Sequence, residues 1–231
     1  MRISWFGQSA FLLAGAQRVM IDPFGFSERL RERGFRYPPI RGVQADLVLV
    51  THEHVDHNAV EVVEGSPPVI RSTAGRLESP VGEVVAVASE HDREAGTRRG
   101  PNTIFVLSLG GLRVCHMGDF GQDALRPEQR RAIGAVDLLF VPVGGGPTVD
   151  GREAARLVRE LAPRLIVPMH FETAATDFLE APDAFLDEAV GTVARLEGSE
   201  VEVEPLLGSR EDPVVALLDA PLGDDVPATA A

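Results

Sequence analysis

The stretch His52-Glu53-His54-Val55-Asp56-His57 follows directly on the apolar run Leu47-Val48-Leu49-Val50-Thr51. No other feature constrains the fold of this chain as strongly. An unbroken apolar run of this length reads as a buried strand. It stops at three imidazoles and a carboxylate, which would be costly to desolvate together without compensation. A bound cation offsets that cost. In extended backbone alternate residues project to one side, so His52 and His54 point the same way and Asp56 follows them. His57 joins them only if the chain turns, and Asn58-Ala59-Val60-Glu61 reads as a helix start that would supply the turn. Four donors this close in sequence cannot easily all chelate one tetrahedral ion, so two adjacent metals are the natural reading.

The chain has six histidines, and the other three extend the pattern. His91 follows a strand-like run at 83–88, and His170 follows another at 165–168. Asp119 follows a third at 112–117. Each lies at the C-terminal end of an apolar strand, where functional groups collect in layered α/β domains. Imidazole and carboxylate without thiolate suit zinc, manganese or iron. His116 has the opposite strand parity to Asp119. It reads as a core or supporting histidine, with proton donation to a leaving group as the alternative. Cys115 is the only cysteine, so no intrachain disulfide can form, and it reads as a small apolar residue of its strand.

The first half is strand-rich, with runs at 3–6, 10–14, 18–21, 46–51, 69–72, 83–88, 103–109 and 112–117. Gly110-Gly111 suits a hairpin turn between the last two. The segment 26–37 is polar and Arg-rich, with partly helical character. In the second half, strands expected at 136–143, 165–168 and 201–206 alternate with helices expected at 127–133, 151–161 and 185–196. That order implies an α/β layered domain. The expected division is one domain over residues 1–208, then a last strand at 214–218 and a disordered acidic tail from Asp224.

The chain has 231 residues and a formal net charge of -13, which disfavours a nucleic-acid partner. It contains no lysine, which excludes Walker-type phosphate loops, Schiff-base chemistry and Ser-Lys nucleophile pairs. No signal peptide and no run long enough to span a bilayer is visible, so a soluble cytoplasmic protein without a membrane partner is expected. A homo-oligomer is compatible with the sequence. The loop Arg98-Arg99-Gly100-Pro101-Asn102 follows His91. Arg99 and Asn102 are candidate substrate contacts, Arg99 for an anionic group, with a solvated turn as the equal alternative.

Thr-His-Glu-His-Val-Asp-His resembles the T-H-x-H-x-D-H signature of the metallo-β-lactamase superfamily. Ser-Glu-His91, His-Met-Gly-Asp119 and Pro-Met-His170 are similar to its remaining motifs, in the same order. Ile21-Asp22-Pro23 and the segment beginning at Asp46 resemble its supporting segments. The likeness covers residues 1 to about 175 and looks closest to the small zinc-dependent hydrolases that include the L-ascorbate-6-phosphate lactonase-like proteins. It implies a four-layer αββα sandwich. It also implies that His52, His54 and His91 hold one metal, that Asp56, His57 and His170 hold a second, and that Asp119 bridges them. Two divalent ions, usually zinc, would then share a hydroxide that attacks an ester-like bond (lactone, phosphodiester or amide) of a small substrate, which an anionic group would suit. Asp56 and Asp119 would orient that nucleophile. Asp22 and Asp46 would accept the outer N–H of ligand histidines, or serve as caps and turns. Two other readings stand beside hydrolysis: a diiron redox protein on the same scaffold, and a non-catalytic metal binder.

Overall fold

The structure is a computed structural model, and it describes residues 1–223. Two sheets face each other. The first runs in the order Glu200–Glu202, Arg2–Gly7, Ala10–Ala14, Arg18–Ile21, Leu47–Val50, Val69–Arg71. The second runs Thr192–Leu196, Val214–Leu218, Leu165–Met169, Leu138–Pro142, Leu112–His116, Pro101–Leu109, Gly82–Glu90, Gly75–Ser79. The run Leu47–Val50 shows why the apolar stretch is unbroken. Leu47 and Leu49 join the core between the sheets, whereas Val48 and Val50 face a second cluster with Leu30, Phe35 and Tyr37 on the outer side. Both faces of the strand are covered, so every position is apolar.

Helix Glu28–Glu32 packs its one buried residue, Leu30, into that outer cluster. Helix Gly151–Leu161 is capped by Asp150, whose carboxylate accepts from the Glu153 N–H while Glu153 returns a bond to the Asp150 N–H. Its buried stripe of Ala154, Ala155, Leu157, Val158 and Leu161 joins the core cluster of the second sheet, as does Ile133 of helix Pro127–Ile133. Helices flank a pair of sheets, which is the αββα sandwich.

Strand directions position the site. Leu112–His116, Leu138–Pro142 and Leu165–Met169 are parallel. Gly82–Glu90 runs in the same sense, because both it and Leu112–His116 are antiparallel to Pro101–Leu109 between them. The chain therefore leaves four strands at one edge of the second sheet. The Thr51 end of the first sheet meets that edge, where the Thr103 N–H donates to the Thr51 carbonyl at 2.9 Å.

The helix expected over 185–196 is instead a short helix, Asp183–Glu188, followed by the strand Thr192–Leu196. Gly191 separates them with φ +93, and an added Cβ there would lie 2.0 Å from the Pro213 carbonyl oxygen. The β-branched pair Thr192-Val193 then favours extended backbone, which the helical spacing had masked. The strand expected at 201–206 ends early as well. Glu200–Glu202 is extended and Glu204–Leu206 is a 3-10 turn. The helix start expected at 58–61 is a single 3-10 turn, Val60–Val62. Val214–Leu218 lies inside the second sheet, between Thr192–Leu196 and Leu165–Met169. The tail expected from Asp224 lies outside the described residues. Among the described residues no helix is long and apolar enough to cross a membrane.

Candidate metal centre

The chain leaves Val50 through a tight loop. The His57 N–H bonds back to the His54 carbonyl at 3.0 Å, closing the turn that brings His57 beside His52. Their ring centroids are 4.1 Å apart. Asp22 holds the base of this loop from the neighbouring strand end. Its Oδ1 accepts the Thr51 N–H at 2.7 Å, and its Oδ2 accepts the Thr51 hydroxyl at 2.7 Å and His57 Nδ1 at 3.0 Å. On the outer side, the Glu53 carboxylate accepts from Arg71, from Ser72 Oγ and from Asn58 Nδ2, which ties the loop to the end of Val69–Arg71.

These partners fix the histidine tautomers. The Thr51 hydroxyl spends its proton on Asp22, so Thr51 Oγ1 accepts from His52 Nδ1 at 3.0 Å. His57 Nδ1 faces a carboxylate, and His91 Nδ1 faces the Pro147 carbonyl at 2.9 Å; both partners can only accept. The three rings therefore carry Nδ1–H, and each can turn an Nε2 lone pair inward.

The inward atoms converge on Asp119. Its Oδ2 lies 3.9 Å from His52 Nε2, 3.3 Å from His57 Nε2, 3.1 Å from His91 Nε2 and 3.2 Å from His170 Nε2. Asp56 Oδ2 is 3.6 Å from His57 Nε2. His52 Nε2 and His54 Nδ1 face each other at 3.0 Å, a spacing at which two lone pairs repel unless a proton or a cation lies near them. His57 Nε2 is buried without a hydrogen-bond partner among the described residues. His52, His54 and His91 present ring nitrogens close enough to share one ion, and so do the donors of His52, His57 and Asp119. An orphaned buried imidazole nitrogen within a converging donor set is what a metal would satisfy.

The electrostatics agree. Burial, reinforced by the neighbouring imidazoles, holds His52 well below its usual range, and burial also lowers His54. Both stay neutral and keep a lone pair to offer. Burial opposes the charge on His57, but Asp119, Asp56 and Asp22 outweigh it and raise that ring well above its ordinary value. Burial likewise opposes ionisation of Asp119, yet His170, His57 and His91 hold it well below the carboxylate range. The same contest at Asp56, won chiefly by His57, lowers that carboxyl too. Without a metal, His57 carries the positive charge that two carboxylates require.

The three residues that follow strands of the second sheet need more support than the loop. Asp119 is held by Asn102, whose Oδ1 accepts the Asp119 N–H at 3.0 Å and whose Nδ2 donates to the Met117 carbonyl at 2.9 Å and to Ser89 Oγ at 2.8 Å. Ser9 Oγ donates to Asp119 Oδ1 at 3.2 Å, and Gln8 Nε2 reaches Asp56 Oδ2 at 3.5 Å. His170 adopts φ +52, and its N–H donates to the Gln8 carbonyl. Gly121 passes so close to His91 that an added Cβ would lie 2.5 Å from the His91 carbonyl carbon.

The seven residues expected as metal ligands, namely His52, His54, Asp56, His57, His91, Asp119 and His170, all come together. At three other residues the structure decides: it overturns the substrate reading of Asn102, and it selects the cap reading of Asp46 and the core reading of His116 over their alternatives. Asp46 reaches none of these histidines; it is exposed and accepts the Arg18 N–H at 2.7 Å, a strand-end cap. Asn102 is 1% exposed with its amide fully engaged, so it braces the Asp119 turn and does not meet substrate. His116 is fully buried, donating Nε2–H to the Ser9 carbonyl at 3.0 Å and accepting the Gly118 N–H on Nδ1 at 3.1 Å. It sits in an aromatic layer with Phe11 and Phe140 beneath the site, and burial lowers its pKa. Neither nitrogen is free to protonate a leaving group. Arg99 lines the same 750 Å³ cavity as His54, Asp56, His91, Asp119 and His170. Gln8 and Ser9 were not singled out from sequence, because an isolated Gln or Ser beside a strand carries no pattern; Thr51 was read as part of the signature without a role of its own.

A family model for the beta-lactamase superfamily domain matches residues 2–170. A UPF0173 metal-dependent hydrolase of Thermococcus kodakarensis is 31% identical over 198 residues, spanning 74% of this chain and 85% of that protein. Another, from Methylobacterium nodulans, is 33% identical over 238 residues, spanning 88% and 95%. Among solved structures, a Thermotoga maritima protein assigned to the zinc-dependent hydrolases of the metallo-β-lactamase superfamily is 30% identical with a TM-score of 0.74, covering 94% of this chain and 98% of that one. The fold, the converging donors and these relatives agree that the chain belongs to the metallo-β-lactamase superfamily and is a metal-dependent hydrolase.

Proposed function

We propose that the chain hydrolyses an ester-like bond of a small substrate (a lactone, phosphodiester or amide) at a dinuclear centre, with zinc as the metal and manganese or iron as substitutes. The observation that carries this reading is the convergence of four imidazole Nε2 atoms on Asp119 Oδ2 at 3.1–3.9 Å. His52, His54 and His91 would hold one ion, Asp56, His57 and His170 the other, with Asp119 between them. Bound divalent ions supply Lewis acidity and lower the pKa of water from about 15.7 to about 7.

The residues of the chain do the rest. Asp22 keeps His57 in the tautomer that offers Nε2 to the centre, and Thr51 does the same for His52. Ser9 occupies one oxygen of Asp119, leaving Oδ2 to face the histidines. Asp56 is 19% exposed at the cavity wall, so it is the carboxylate placed to take a proton from the nucleophile and return one to the leaving group. Protein reconstituted with zinc, manganese or iron, assayed on a lactone, a phosphodiester and an amide, should turn over one class with at least one metal. No turnover of any class at full metal occupancy would refute hydrolysis of such bonds.

A further inference from the structure

The cavity above the metal centre has an unusual wall for so acidic a chain. Arg29 and Arg33 line one side from helix Glu28–Glu32 and its C-terminal cap, and Arg98 and Arg99 line it from the loop after His91. The guanidinium groups of Arg29, Arg33 and Arg99 make no hydrogen bond or ion pair with any described residue. Arg98 has only an exposed pair with Glu94 at 3.3 Å. The acidic groups of the cavity offer them no partner: Glu53 is tied to Arg71, and Asp56 and Asp119 face the histidines. The formal net charge of the chain is -13, so acidic side chains are plentiful, yet none pairs with these three arginines among the described residues. Unpaired like charges around one concave site repel each other and focus a positive field into it. Beside them, Val55 and Phe178 leave 49% and 45% of their surface exposed on the same wall.

We propose that the substrate is an amphiphilic oxyanion: an ester-like compound that carries a non-reacting phosphate or carboxylate bound by Arg29, Arg33 and Arg99, with an apolar body against Val55 and Phe178. This rests on the reading that hydrolysis occurs in this cavity, and it names the substrate class. Planar guanidinium groups on two separate elements suit the several oxygens of such an anion. The apolar pair covers the part of the substrate between the anion and the scissile bond.

The test uses unreactive probes and the full-length protein. 2-Naphthylphosphonate, 2-naphthylacetate and the neutral 2-naphthylmethanol are titrated calorimetrically into metal-loaded and metal-stripped protein. At least one anionic probe should bind ten times or more tighter than the neutral one; whether phosphonate or carboxylate is preferred identifies the source of the oxyanion. The triple substitution Arg29→Gln, Arg33→Gln, Arg99→Gln should weaken that anion by about a hundredfold or more. The loss should persist in the metal-stripped protein, where the metals cannot bind the anion themselves. Arg131→Gln, an exposed arginine away from the cavity, should leave the affinity as it was. Equal binding of neutral and anionic probes, or a triple variant that binds like the parent, overturns the proposal. Failure of the hydrolase reading looks different: arginine-dependent binding persists, but no ester is turned over.

Discussion

The loop 51–57 and the three strand ends of the second sheet contribute to one centre by opposite means. The loop supplies His52, His54, Asp56 and His57 from six consecutive residues, held by Asp22 and by the bonds of Glu53 to Arg71, Ser72 and Asn58. Its geometry is local, so its sequence announces it. His91, Asp119 and His170 are separated by dozens of residues and meet only because their strands leave the sheet at one edge. Their positions depend on backbone details: the Pro147 carbonyl behind His91, Asn102 behind Asp119, and the left-handed backbone at His170. The compact half is robust in sequence and exposed to damage at its own donors. The dispersed half is exposed to damage at residues that bind nothing.

Removing the donors of the compact half should have the largest effect. His52→Ala combined with His54→Ala should lose metal from the site and reduce hydrolysis by about a thousandfold or more, measured by elemental analysis and steady-state kinetics. Asn102→Ala tests the dispersed half. It should weaken metal affinity by about 10–100-fold, although Asn102 touches no ion, and destabilise the fold by about 1–3 kcal/mol because the Asp119 N–H and Met117 carbonyl lose their partner. Chelator competition and urea unfolding would read both. Gly121→Ala should cost about 1–3 kcal/mol through its clash with the His91 backbone. Unchanged stability there would mean that His91 is not held as tightly as its contacts imply.

The smallest effect belongs to the anchor of the loop. The Arg71 guanidinium, with Ser72 and Asn58, holds the Glu53 carboxyl down at about 2 from an ordinary 4.5. A depressed folded-state pKa contributes stability that is present above 4.5 and lost as pH falls toward 2. The pair is solvent-exposed, so that contribution is about 1 kcal/mol or less. Glu53→Gln should remove it, and the stability of the variant should then vary less with pH across this acid window than that of the parent.

The same contrast explains what the sequence made legible. The seven converging residues were readable because imidazole and carboxylate at the ends of apolar runs have no cheap alternative explanation. The layered α/β fold was readable because alternating strand and helix patterns leave few other arrangements. The role of Asn102 was not readable, and Asp46 and His116 were each left between two readings. Whether an amide faces a turn or a cavity depends on residues 15 positions away, such as Met117. The strand Thr192–Leu196 was hidden because its apolar spacing continues that of the preceding helix, and the break falls at Gly191, packed against Pro213, with the strand then pairing along Val214–Leu218. The unpaired arginines were visible as charge but not as a wall, since the helix 28–32 and the loop after His91 meet only in the folded chain.

The central claim is that these two halves together hold two metals. Elemental analysis of protein purified without chelator and exchanged into metal-free buffer tests it most directly. The account predicts about two transition-metal ions per chain, falling in the Asn102→Ala variant with the fold retained. A folded parent protein that holds no ion, or saturates at one, would contradict it.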